Sequence, residues 1–116
     1  MNINELKPIF DGKRCAILGY GREGRVWLSL LKSPGVIIKD KLTPEEKAKI
    51  LTQTELLLRL RPCRVIGITG TKGKSTTSSL TYHFLTACGF KTMLIGNIGV
   101  PPLERFEEMT PDTVAV

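Results

Sequence analysis

The sequence predicts an α/β fold built on parallel strands, and three of its features carry that expectation. Short apolar runs alternate with longer helical patterns along the chain. Twice an apolar run leads straight into a glycine-rich turn and then a helical pattern, at 13-KRCAIL-18 before 19-GYGREG-24 and at 64-RVIGIT-69 before 70-GTKGKS-75. Breakers such as Ser33-Pro34-Gly35 and Gly89 then end each helical pattern just ahead of a further apolar run.

In chain order, residues 13–18 read as a first strand and residues 25–31 as a helix. Residues 36–40, VIIKD, read as a second strand. Thr43-Pro44-Glu45-Glu46 carries N-cap chemistry, a hydroxyl at the cap, proline at the first helical position and acids in the first turn. It predicts a helix over residues 44–51, and an apolar stretch predicts another over 54–60. A buried strand over 64–69 precedes a helix over 75–88, with Gly89 as a left-handed C-cap. Residues 91–95 form the next strand. The chain stops at 113-TVAV-116, which reads as a strand just beginning and hence as an incomplete domain. Trp27, Leu28, Leu30 and Leu31 are expected to bury one helix face, and Leu56, Leu57, Leu58 and Leu60 to enter the core. Arg59, Arg61 and Arg64 are expected on a solvated face.

Composition narrows the function classes. With 41% apolar and 24% charged residues among 116, the chain reads as globular rather than disordered. No apolar run approaches the roughly 18 residues a membrane helix needs, and MNINELKPIF lacks the apolar core of a signal peptide, so a cytoplasmic location is expected. Cys15, Cys63 and Cys88 form no C-x-x-C pair and predict buried thiols rather than zinc or disulfides. The net charge of +6 favours anionic partners. The cations are scattered and aromatics make up only 6% of residues, which favours a phosphorylated small molecule over nucleic acid.

Two segments carry chemistry. Gly19-x-Gly21-x-x-Gly24 between strand and helix has the pattern of a dinucleotide loop. Its glycines allow close backbone approach, and the helix N-terminus offers N–H groups to a phosphate. Asp40, at the end of the second strand, is placed to take a ribose hydroxyl in that reading. The second segment is Gly70-Thr71-Lys72-Gly73-Lys74-Ser75-Thr76. It departs from the general phosphate-loop pattern, which would require glycine where Ile68 stands. The chemistry still follows: successive backbone N–H groups ring a phosphate, Lys74 supplies charge and the Ser75 hydroxyl can ligate magnesium.

Residues 69–76, TGTKGKST, resemble the shortened phosphate loop of the Mur ligases, ATP-dependent amide-forming enzymes of peptidoglycan synthesis. Gly96-Asn97-Ile98-Gly99 with Pro101 is similar to a segment of the members that add D-glutamate to UDP-N-acetylmuramoyl-L-alanine. Ser33-Pro34-Gly35 and Gln53-Thr54-Glu55 resemble further stretches of those members. The resemblance implies a truncated Rossmann-like UDP-substrate segment over residues 1–60, followed over 61–116 by the start of a parallel-sheet P-loop ATPase domain. It implies ATP and Mg²⁺ as cofactors. Residues 70–76 would bind ATP, Lys74 would be catalytic and Ser75 would be the metal ligand. Gly19, Tyr20, Gly21, Ser33, Gly35 and Asn97 would hold the UDP substrate.

The chain departs from the family in two places. Only eight residues separate Gly24 from Ser33, where the family places further strands and helices. No residues match its magnesium-binding glutamate and histidine, since His83 falls on the helix after the loop, where a packing or surface role is expected. An internally shortened form that does not turn over by itself is therefore expected. Three alternatives stand beside it: an NAD(P)- or FAD-binding Rossmann module, a stand-alone phosphate-loop module and a non-catalytic nucleotide-binding remnant.

Overall fold

The computed structural model describes residues 2–19, 21–31 and 36–116. Two parallel sheets organise them. In the first, β1 (Ala16–Leu18) pairs with β2 (Ile37–Lys39), with Ala16 opposite Ile37 and Leu18 opposite Lys39. In the second, β3 (Arg64–Val65), β4 (Lys91–Met93) and β5 (Thr113–Ala115) lie in the order β3-β5-β4, all parallel. The α/β class with parallel sheets is thus as the sequence predicts.

The helices begin where capping chemistry dictates. The chain starts with a 3₁₀ turn, Ile3–Leu6, capped by Asn2 and running into α1 (Lys7–Phe10). The helix α2 (Arg22–Leu31) begins inside the glycine loop, three residues before its expected start. At α3 (Pro44–Lys47) the capping box is complete, with the Thr43 hydroxyl accepting from Glu46 N–H and the Glu46 carboxylate accepting from Thr43 N–H. The expected helix over 44–51 ends at Lys47, with Ala48 as its C-cap, and the next helix opens at Thr52. The Thr52 backbone is extended and its hydroxyl accepts from Glu55 N–H at 3.0 Å, opening α4 (Gln53–Leu60). Helix α5 (Lys74–Ala87) starts after Gly73 and is followed by the left-handed Gly89, φ +87°.

Strands are shorter than the apolar runs that predict them. The 64–69 run pairs only over Arg64–Val65, with Ile66 N–H adding a bond to Ala115 C=O at 2.8 Å. The 91–95 run pairs over Lys91–Met93, while Ile95 forms a bridge with Val100. The terminal run 113–116 is not a marginal element. It forms the middle strand of its sheet, and Thr113, Val114, Ala115 and Val116 are all buried.

One core serves both halves of the chain. Leu6, Leu56, Leu57, Met93, Leu103, Phe106 and Met109 form it, with Val26, Trp27 and Leu30 packed at its margin. In α4, residues Gln53, Leu56 and Leu57 share one face and are buried, as the helical repeat requires, and Leu60 is partly buried. Leu58 falls on the opposite face and is exposed, contrary to the core role expected for it. Trp27, Leu28, Leu30 and Leu31 are only partly buried, and Gly24 is the one buried residue of α2 among those described. Leu103 and Phe106 come from a 3₁₀ segment, Pro102–Glu108, a helical element that was not among those expected.

The thiols are not uniformly buried as expected. Cys88 is exposed, and Cys15 and Cys63 are intermediate. Partial burial pushes the Cys63 thiol pKa up. Arg59, Arg61 and Arg64 are exposed as expected. No helix of the described residues is long and apolar enough to cross a membrane.

The two halves are pinned by Gln53, which is 1% exposed. Its side-chain N–H donates to the Glu23 carbonyl at 3.1 Å, and its side-chain oxygen accepts from Leu103 N–H at 3.1 Å. Gln53→Leu leaves both backbone groups without that partner. It is expected to lower stability by about 2–3 kcal/mol, read from the urea midpoint at unchanged slope.

A second expectation concerns acid. The Lys39 hydrogen bond, with the Thr43 N–H, lowers the Glu46 pKa, and the Arg105 hydrogen bond lowers that of Glu108. A carboxylate held below its unfolded value adds stability above that value and loses it as pH falls through the folded one. The melting temperature should therefore drop on acidification below about pH 4.5, the usual carboxylate range, and Glu46→Gln/Glu108→Gln should flatten that drop.

Candidate functional site

A cleft of about 380 Å³ opens where the two glycine-bearing segments meet. One wall is Leu18, Gly19 and Gly21 with the first turn of α2; the other is Gly96, Asn97, Gly99 and Pro101. Residues nearly eighty positions apart in the chain are thereby brought face to face. The first wall follows from strand–turn–helix geometry. Gly19 takes φ +77° as the chain leaves β1, and its N–H donates to Lys39 C=O at 2.9 Å, tying the loop to β2. Arg25 N–H donates to Gly21 C=O, so the helical ladder starts at the loop and leaves the preceding N–H groups without helical acceptors.

Two glycines are required by close approach rather than by φ. A Cβ on Gly24 would stand 2.5 Å from the Gly19 carbonyl oxygen, and one on Gly99 would stand 2.0 Å from that of Leu94. The second glycine of the loop, Gly21, faces open space. Opposite, Gly96 N–H donates to Val100 C=O at 2.9 Å and Val100 N–H to Leu94 C=O at 3.2 Å, closing a tight turn that presents Asn97. Asn97 is exposed on the cleft wall.

Arg22 joins the walls. Its Nε–H donates to Glu104 Oε2 at 3.3 Å and an Nη1–H to the Gly99 carbonyl at 3.2 Å. Sequence reasoning missed both Arg22 and Glu104. Arg22 lies inside the glycine loop, which was a usable signal, but nothing local marks Glu104 as its partner.

The Gly70–Thr76 loop stands apart from this cleft, none of its residues being among those that line it. It joins β3 to α5, with Gly70 at φ +149° and Gly73 left-handed at the helix cap. Lys74 Nζ donates to the Gly70 carbonyl at 2.5 Å, folding the side chain back over the loop. Thr71, Lys72, Ser75 and Thr76 are exposed, so the loop is open to a ligand along its length. Ser75 offers a hydroxyl in the first turn of α5, and among the described residues no cluster of three His, Cys, Asp or Glu could hold a metal by itself. One hydroxyl together with phosphate oxygens and water suits Mg²⁺, which binds through few protein ligands and keeps its waters. His83 is exposed on α5, in edge contact with Tyr82 at 5.3 Å, in the surface role expected.

Of the expected UDP-substrate residues, Gly19, Gly21 and Asn97 meet at the cleft, while Tyr20, Ser33 and Gly35 lie outside the described residues. Asp40 is exposed just past β2 and is not part of the lining. The glycine geometry sets a clear expectation. Gly99→Ala and Gly24→Ala should each cost about 2 kcal/mol or more through backbone displacement, whereas Gly21→Ala should leave the melting temperature within a degree or two.

No protein-family model matches the chain, and no solved structure matches it. Curated proteins do. The chain is 41% identical over 68 residues to the UDP-N-acetylmuramoylalanine–D-glutamate ligase of Clostridium kluyveri, covering 59% of this chain and 15% of that one. It is 47% identical over 68 residues to the ligase of the same name from Thermotoga sp. (strain RQ2), covering 58% and 16%. With that of Alkaliphilus metalliredigens it shares 38% identity over 87 residues, covering 72% and 19%. The chain thus spans between 15% and 19% of the length of these relatives. Over the matched residues it is homologous to the UDP-N-acetylmuramoylalanine–D-glutamate ligases, and its sequence fits part of a Mur ligase.

Proposed function

We propose that this chain carries the nucleotide- and substrate-holding segments of an ATP-dependent ligase that adds D-glutamate to UDP-N-acetylmuramoyl-L-alanine in peptidoglycan synthesis, in the cytoplasm. The observation that carries the reading is the meeting of the Gly19–Gly24 loop with Gly96–Pro101 in one cleft, in a chain 38–47% identical to such ligases. On this reading residues 1–60 form the UDP-substrate segment, and 61–116 the start of the P-loop ATPase domain.

The residues divide the work. Gly19, Tyr20 and Gly21 hold the UDP phosphates on backbone N–H groups, Ser33 and Gly35 belong to the same substrate-holding set, and Asn97 contacts the muramoyl part. At the second loop, the N–H groups of Gly70, Thr71, Lys72, Gly73 and Thr76 ring the ATP phosphates, and Ser75 takes one position on Mg²⁺. Bound ATP supplies a phosphoryl group to the alanine carboxylate, whose oxygen attacks phosphorus as ADP leaves. The amine of D-glutamate then attacks the acyl phosphate carbon, phosphate leaves and the amide forms. Lys74 leaves the Gly70 carbonyl and spreads the charge of the transferring group. The chain spans 15–19% of the length of the ligases it matches, and the 116-residue chain by itself is proposed to bind nucleotide without turnover.

A second reading, an NAD(P)- or FAD-binding module, is favoured by the parallel β1–α2–β2 unit with Asp40 just beyond β2. The position of Asp40 off the cleft lining weighs against it. Lys74→Ala is expected to weaken ATP binding about tenfold or more, with Asp40→Ala leaving it unchanged. Tight NADH binding, lost in Asp40→Ala and indifferent to ATP, reverses the choice.

A further inference from the structure

We propose that Arg22 is the phosphate-contacting residue of the cleft and that Glu104 is a competing carboxylate, which holds the guanidinium until a diphosphate takes it over. The inference rests on the proposed reading of the cleft as a nucleotide–sugar site. It adds a specificity-determining side chain to a site otherwise built from backbone. Among the described residues lining the cleft Arg22 is the one cation, standing at the start of α2 and hydrogen-bonded to Gly99 of the opposite wall. A guanidinium carries five N–H donors in a planar fork, of which one goes to Glu104 and one to the Gly99 carbonyl. The remaining donors match a phosphate bidentately.

The present arrangement is one that a ligand can rearrange. The Arg22 and Glu104 side chains are 59% and 41% exposed, and an ion pair that wet is weakly held. A diphosphate in the cleft brings more charge than one carboxylate, and it also meets the N–H groups of the first turn of α2. The hydrogen bond to Gly99 need not break in the exchange, because it uses a different nitrogen from the Glu104 bond. Arg22 therefore keeps the Asn97 wall in place while turning its outer edge to phosphate.

Opposite signs in two variants separate this from a purely structural brace. The 116-residue chain, Arg22→Gln, Arg22→Lys and Glu104→Gln are titrated calorimetrically with UDP and with inorganic pyrophosphate, at low and high salt. Circular dichroism checks that each variant is folded. Arg22→Gln is expected to weaken both ligands about tenfold, and Arg22→Lys to recover part of that loss. Glu104→Gln is expected to tighten both about threefold by removing a competing negative charge. If Glu104→Gln weakens binding as Arg22→Gln does, the pair is only a brace and the proposal is overturned. Unchanged affinity in Arg22→Gln overturns it equally. Arg22-dependent pyrophosphate binding with no preference for UDP keeps the role of Arg22 and removes the uridine reading. Absence of binding by either ligand overturns both.

Discussion

The amide of Gln53 is the constraint on which the cleft depends. Apolar packing between α4, α2 and the Pro102–Glu108 segment would tolerate small slides, since dispersion and burial carry little directionality. The buried amide does not tolerate them. Its N–H end must reach the Glu23 carbonyl and its oxygen must reach Leu103 N–H, both at 3.1 Å. Glu23 lies in the first turn of α2, and Leu103 lies four residues after Gly99. One side chain thereby sets the distance between the two glycine walls. Arg22 repeats the tie at the surface, where water competes and the link is weaker.

The two glycine loops are consequently very different environments. The Gly19–Gly24 loop is fastened on three sides, by Lys39 C=O, by Gln53 through Glu23 and by Arg22 through Gly99. The Gly70–Gly73 loop leads into a helix with no buried residue, where Leu80 is 65% and Phe84 70% exposed. Its internal restraint is the bond from Lys74 to Gly70, made within the loop itself. The first loop is thus held by distant parts of the fold, and the second largely by its own contact.

What the sequence disclosed was the local part of the design. Glycine spacing after an apolar run located both loops, cap chemistry located α3, and Gly89 closed α5 as expected. These signals depend on neighbours a few residues apart. The links that assemble the cleft join Arg22 to Glu104 across 82 positions and Gln53 to Leu103 across 50. Neither has a periodic or compositional trace. The 3₁₀ segment Pro102–Glu108 was missed even though its buried Pro102, Leu103 and Phe106 stand at i, i+1 and i+4, the spacing of one helical face; at seven residues the pattern is too short to stand out. The end of α3 was overestimated by four residues, and burial failed in α2, whose apolar side is only partly covered.

The position of β5 has a consequence for how the chain reaches this state. Strands β3 and β4 arise earlier, yet each finds its hydrogen-bonding partner only in residues 113–116. During synthesis α5 precedes residues 113–116, and the sheet has an empty middle lane until those residues pair. Both flanking strands wait with unpaired edges, and closing the lane fixes two long chain loops in one event. That ties formation of the whole sheet to residues 113–116, and until they join it both flanking strands expose edges open to mispairing with another copy.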